Sequence, residues 1–188
     1  MGLMPAAANS DKLVAKFGNN NVVAIGLSLV CAGMLLFTTV EVNTEYLRIA
    51  LTFFILGLGM GLTMAPSTTL VMDSIPEDKA GVGSATNDAS REIGGALGIA
   101  IGGSVLNQIY QDNLVIPEGM ESYSVILTES FPAAMRIGLE MGNMELIVNA
   151  RLAFMDGMVG SAMVSAGVAL ITAILVKFYM PRKSHPSN

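Results

Sequence analysis

The sequence predicts an all-α membrane protein with four transmembrane helices. Three observations predict it. Charged residues make up only 13% of the chain, about half the ~25% of a soluble domain. Two long stretches, 22–40 and 49–72, carry no charge at all. A third apolar stretch holds Gly94, Gly98 and Gly102, spaced by four. On a helix these glycines share one face, and another helix backbone can approach such a face closely.

Composition also excludes function classes. The net charge is −5 and there is no basic run, so nucleic-acid binding lacks its electrostatic footprint. Cys31 is the only cysteine and His185 the only histidine. No intramolecular disulfide, His/Cys metal site or Ser/His/Asp triad can be assembled from them. No GxGxxG, Walker A, HExxH or CxxC pattern occurs. The GVGSAT run at 81–86 lacks the preceding strand and the following lysine of a phosphate loop. The chain therefore reads as a non-enzyme, with no catalytic residues, no metal and no cofactor.

Taken in order, residues 1–8 are apolar but far shorter than the ~20 needed to cross a bilayer. They read as the remnant of a preceding span. Residues 9–21 are polar, with Lys12 and Lys16. Residues 22–40 are the first span, an uncharged run of the minimal crossing length. Cys31 lies within it as lipid- or core-facing packing. A short loop with Glu41, Glu45 and the interfacial Tyr46 follows. Residues 49–72 are the second span. Gly57 and Gly61 supply a second small-residue face, and Pro66 predicts a kink, with Ser67, Thr68 and Thr69 near enough to satisfy freed carbonyls.

The second polar loop runs from Asp73 to Arg91 and leads into the third span, 90–109. Ser84 or Asn87 is the expected N-cap. Asp88 and Arg91, three apart on one face, are near enough to pair. Gly94, Gly95, Gly98 and Gly102 are the expected helix-packing positions. Residues 110–150 are the longest hydrophilic region, with six acids and only Arg136 in opposition. Within it, 131–142 is mildly amphipathic and reads either as a surface-lying helix or as a plain loop. Residues 157–178 are the fourth span. The tail, 179–188, carries Pro181, Arg182 and Lys183, a cationic exit from a membrane.

Lysines and arginines set the orientation. Lys12, Lys16, Lys79, Arg91, Lys177, Arg182 and Lys183 fall on one side; Arg48, Arg136 and Arg151 fall on the other. The positive-inside rule then places 9–21, 73–91 and the C-terminus in the cytoplasm and the 110–150 loop outside. Read strictly, as 22–40, 49–72, 93–109 and 157–176, the four spans hold no ionisable group. Glu92 and Asp156 stand at helix mouths, as solvated helix-end charges or as gate residues.

A longer pattern resembles a known family. Pro76, Ala80, Gly81, Gly83, Ser84, Ala85, Asn87, Arg91, Glu92, Gly94, Gly95, Ala96, Gly98 and Ala100 fall in order and spacing. This is similar to a signature of the EmrB/QacA-type drug:proton antiporters, the fourteen-span branch of the major facilitator superfamily. L-V-A-K-F-G at 13–18 and A-F-M-D-G-M at 153–158 resemble a cytoplasmic loop and the start of the last span in that family. Asn19, Asn20 and Asn21 depart from it, standing where arginine or lysine is common, and Glu92 stands where glutamine is commoner.

The resemblance implies part of a C-terminal bundle of the major facilitator fold, comprising the last four of fourteen spans. It implies a multi-pass protein of the cell (inner) membrane that exports drugs or other amphiphilic compounds by proton antiport. The proton gradient would be the energy source. The expected partners are the lipid bilayer, the missing N-terminal spans and a small amphiphilic substrate, with no nucleic acid. Asp88, Arg91 and Glu92 would then serve the cytoplasmic gate. The competing expectation is a small four-span accessory membrane protein or an inactive truncated product.

Overall fold

The computed structural model describes residue 10 and residues 12–41 and 44–180. The expected remnant at 1–8 and most of the tail, with Arg182, Lys183 and His185, lie outside them. The all-α expectation holds: among the described residues every regular element is a helix. The long ones are α1 (Asn19–Phe37), α2 (Tyr46–Asp73), α3 (Ala80–Asn113) and α6 (Met144–Tyr179). Between α3 and α6 lie two short helices, α4 (Ser124–Glu129) and α5 (Phe131–Glu140). Four helices are long and apolar enough to cross a membrane.

Each long helix begins before the span expected from the sequence; α1 stops at Phe37, short of the expected end at 40, whereas α2 and α6 end one residue beyond theirs and α3 ends four beyond. A charge-free run marks what must sit in hydrocarbon, but hydrogen bonding carries a helix on into the polar flanks. Large apolar side chains such as Phe53, Ile99, Val168 and Ile171 are exposed along these helices. A helix surface of that kind suits lipid rather than water.

The described residues form two compact units, residues up to 97 with those from 164 onward, and residues 98–163. In the first unit α1 and α2 pack with their backbones nearly touching. A Cβ on Gly26 would lie 2.5 Å from Thr63 Oγ1 and 2.9 Å from the Gly59 carbonyl oxygen. A Cβ on Gly33 would lie 2.7 Å from Leu56 Cδ2. The contact thus runs through Gly59, which lies between the expected packing residues Gly57 and Gly61; of those two, Gly61 is buried. Cys31 is core-facing, buried with Ala166 and Ala169 of α6.

α2 continues through Pro66 to Asp73, so the proline is taken into the helix and is itself buried. The hydroxyls around it donate to the carbonyls of Gly59 and Ala65. The Pro66 carbonyl accepts a bond from Asn19 Nδ2 at 3.4 Å.

The second unit shows that much of the 110–150 segment is folded. Tyr110, Leu114, Met120, Leu127, Ala134, Ile137, Leu146, Ala150 and Ala153 form a buried core. Phe131 stacks on Phe154, 4.3 Å between centroids, and meets Tyr110 edge-on. The buried Tyr110 hydroxyl donates to the Leu127 carbonyl at 2.8 Å. Ser130 caps α5 by accepting from the Ala133 N–H. Asn143 Oδ1 accepts from the Leu146 N–H at the start of α6.

The apolar face of α5, at Ala134, Ile137 and Gly138, is buried in the protein. Of the two readings of 131–142, a helix forms, but its apolar face is turned to this core. All six acids of the segment remain exposed.

Candidate functional site

The polar stretch that the sequence singles out forms the start of α3. Pro76 precedes a single 3-10 turn, Glu77–Lys79, and α3 follows at once from Ala80. Ser84 and Asn87 therefore lie inside the helix and are not its N-cap. Gly83 is buried against Ile75, where a Cβ would strike the isoleucine side chain.

Asp88, Arg91 and Glu92 are all exposed. No ion pair joins Asp88 to Arg91, although three-residue spacing places them on neighbouring positions of one face; Glu92, next to Arg91 in the sequence, falls on a different side of the helix. An exposed pair of this kind gains too little to hold two long side chains together.

Positions 88, 91, 95, 98 and 102 follow steps of three and four, so Asp88, Arg91, Gly95, Gly98 and Gly102 form a single stripe along α3. A Cβ at Gly94, Gly95 or Gly98 would meet no atom within 4 Å. These three expected packing residues have no neighbour in the described chain. Gly102 does: a Cβ there would lie 3.1 Å from Ser161 Oγ. Further along, a Cβ on Gly157 would stand 2.6 Å from the Leu106 carbonyl oxygen, so α3 and α6 approach closely there. Asp156, expected at a helix mouth, lies inside α6, twelve residues from its start; it accepts from Asn113 Nδ2 at 3.1 Å and is exposed.

A second polar cluster was missed in the sequence. Gly18, with φ of 81°, turns the chain into α1. Asn19 and Asn20 are then buried, at 5% and 2% exposure. Asn19 Nδ2 donates to the Pro66 carbonyl and Asn20 Nδ2 to the Lys177 carbonyl, each at 3.4 Å. Lys177 Nζ donates to Asn21 Oδ1 at 2.6 Å. The three asparagines thus tie the start of α1 to α2 and to the end of α6. The Oδ1 atoms of Asn19 and Asn20 are buried without a partner. The available signal was the placement of three consecutive amides directly before an uncharged run.

Among the described residues no group of His, Cys, Asp and Glu could hold a metal ion. Glu121 lies outside the membrane helices. Its own backbone N–H and that of Gly119 hold its pKa below the usual value. The arrangement offers no activated nucleophile or general base. What it offers is a charged and glycine-lined helix face on which a Cβ at Gly94, Gly95 or Gly98 meets no atom within 4 Å.

Comparison with known proteins gives this face a context. The model of the Major Facilitator Superfamily matches residues 1–99. The multidrug efflux pump LfrA of Mycolicibacterium smegmatis is 26% identical over 169 residues, covering 88% of this chain and 34% of its own length. The tetracenomycin C resistance and export protein of Streptomyces glaucescens is 24% identical over 199 residues, covering 99% of this chain and 36% of its own length. The multidrug resistance protein Stp of Mycobacterium tuberculosis is 34% identical over 97 residues, or 50% of this chain and 17% of its own. The chain spans about a third of the length of the first two relatives. Its apolar helices make it an integral membrane protein, and with the family model matching more than half its length the chain belongs to the major facilitator superfamily.

Proposed function

We propose that the chain is the C-terminal part of a secondary active transporter, of the EmrB/QacA type, that exports drugs or other amphiphilic compounds in exchange for protons. The observation that carries this reading is likeness along nearly the whole chain to an efflux pump and an export protein. The proton gradient is the energy source, and no cofactor is required. The protein sits in the cell (inner) membrane with its C-terminus in the cytoplasm, as the lysine and arginine distribution favours.

In this mechanism two helical bundles rock around a central site. The stripe on α3 is a sliding surface. Gly95 and Gly98 let a helix of the remaining spans approach, and Asp88, Arg91 and Glu92 exchange partners at the cytoplasmic mouth as the bundles move. Their exposure and lack of mutual pairing leave them available for that exchange.

The test is efflux of a cationic dye from everted vesicles carrying the whole transporter. Efflux should stop when a protonophore collapses the gradient. Arg91→Ala should slow it severalfold at equal expression, and Arg91→Lys should retain part of the rate. Efflux that survives the protonophore rules out proton antiport, and unchanged efflux in Arg91→Ala removes Arg91 from the gate. Absence of dye transport by any form of the protein returns the accessory-subunit reading.

A further inference from the structure

We propose that a groove between α1 and the C-terminal part of α6 seats one anionic phospholipid, with its phosphate at Lys177 and an acyl chain along the groove floor. The groove encloses about 380 Å³. Its floor is made of two small buried residues, Ala24 and Ala173. Its rims are Ile25, Leu170 and Ile174, each about half exposed (51%, 49% and 50%). Small residues between bulky neighbours make a trough. It extends from Asn21 to Ser28 on α1, about 10 Å at the helical rise.

The two ends of this trough differ. At one end stand Lys177 and Asn21, with Phe17 and Phe178 beside them; from Ala24 onward the lining is apolar except for the Ser28 hydroxyl, which bonds back to the Ala24 carbonyl. Among the described residues no acidic one lines it. Lys16 adds a second cation, its Nζ lying 5.4 Å from the ring centre of Phe17. An amphiphile with an anionic head and an apolar tail matches this polarity.

Lys177 is also held in position. Asn20, buried, bonds its carbonyl, and Asn21 takes one ammonium proton at 2.6 Å. An ammonium has three donors, so two remain for phosphate oxygens.

A transported solute needs a site that encloses most of its surface. This trough is open along its length, which suits a molecule whose remainder stays in the bilayer. A packed protein helix would cover Lys177 in a low-dielectric setting, and that is unfavourable unless the helix brings an acid. The inference needs only membrane insertion and stands apart from the transport reading.

The test is native mass spectrometry of the purified full-length protein with phosphatidylglycerol and phosphatidylcholine at equal concentration. Wild type should retain one tightly held phosphatidylglycerol about fivefold better than phosphatidylcholine, or about 1 kcal/mol, as for one lysine at an anionic surface. Lys177→Gln should lose that preference and Lys177→Arg should keep it. Ser28→Trp, at an exposed position, should weaken retention of both lipids by filling the trough. Unaltered helicity by circular dichroism checks that each variant folds. Retained preference in Lys177→Gln, or no preference in wild type, overturns the proposal. So does a stable dimer that excludes both lipids, which would assign the trough to a second copy of the chain.

Discussion

A Cβ added to Gly59 would stand 2.7 Å from the carbonyl oxygen of Gly26. α1 and α2 are therefore joined backbone to backbone, with Val30 and Thr63 closing around the contact. In lipid such packing supplies the association that the hydrophobic effect supplies in water. Gly59→Ala should destabilise the helix pair by about 1–3 kcal/mol through overpacking. Thermal unfolding in detergent measures this. The matched control is Gly94→Ala, whose new methyl meets nothing within 4 Å; it should be neutral or slightly stabilising, by up to ~1 kcal/mol of helix propensity. Equal melting of Gly59→Ala and wild type would contradict the close contact.

Gly98→Leu separates packing within this chain from packing against the proposed remaining spans. Gly98 has no neighbour within 4 Å here. Melting of the isolated chain should match wild type or exceed it slightly, by up to ~1 kcal/mol of helix propensity. Dye efflux by the whole transporter should fall sharply, because leucine on the stripe keeps the opposing helix away. A variant that exports normally would show that no helix uses this face.

The Tyr110 hydroxyl bonds the Leu127 carbonyl inside the second unit, where Leu127 is fully buried. Tyr110→Phe keeps the ring contacts but leaves that carbonyl without its partner. The loss should be about 1–2 kcal/mol. Hydrogen exchange should show faster opening of amides in 124–140, with little change in α1 and α2. Unchanged protection there would remove the bond from the account of this core.

Glu121 predicts a local pH dependence. Backbone N–H groups lower its folded pKa below that of an ordinary glutamate. The unfolded segment therefore takes up a proton first as pH falls. The ordering of the 117–123 turn is fully present above about pH 4.5 and is lost progressively below it. Nuclear magnetic resonance exchange at the Gly119 amide, which donates to Glu121 Oε1 at 3.1 Å, should rise over that window in wild type. In Glu121→Gln it should stay flat. A flat wild-type profile would contradict the assignment.

The membrane helices were legible because a bilayer imposes a one-dimensional rule: a span must be long and uncharged, and α1, α2 and α6 obey it. The 110–150 segment was harder. Its acids dominate any average of its composition, while Leu127, Ala134, Ile137 and Leu146 are scattered between them. They become a core only when short helices bring them together with Tyr110 and Phe154. The small-residue contact was also only half legible. Glycines 57, 59 and 61 all lie on α2, and four-residue spacing favours the outer two, but the crossing point with α1 selects Gly59.

By itself the sequence determined that this is an all-α chain with four membrane-crossing helices, because charge content and the length of uncharged runs are additive properties that need no partner. It also supplied the family signature between Pro76 and Ala100. Tertiary structure alone decided which of these residues meet. It buried Asn19 and Asn20 at the ends of other helices, set Lys177 against Asn21, and left Gly94, Gly95 and Gly98 bare beside Asp88 and Arg91. The physical reason is that contact depends on the crossing point and rotation of each helix. Those are set by the packing of several helices together, and no single helix encodes them.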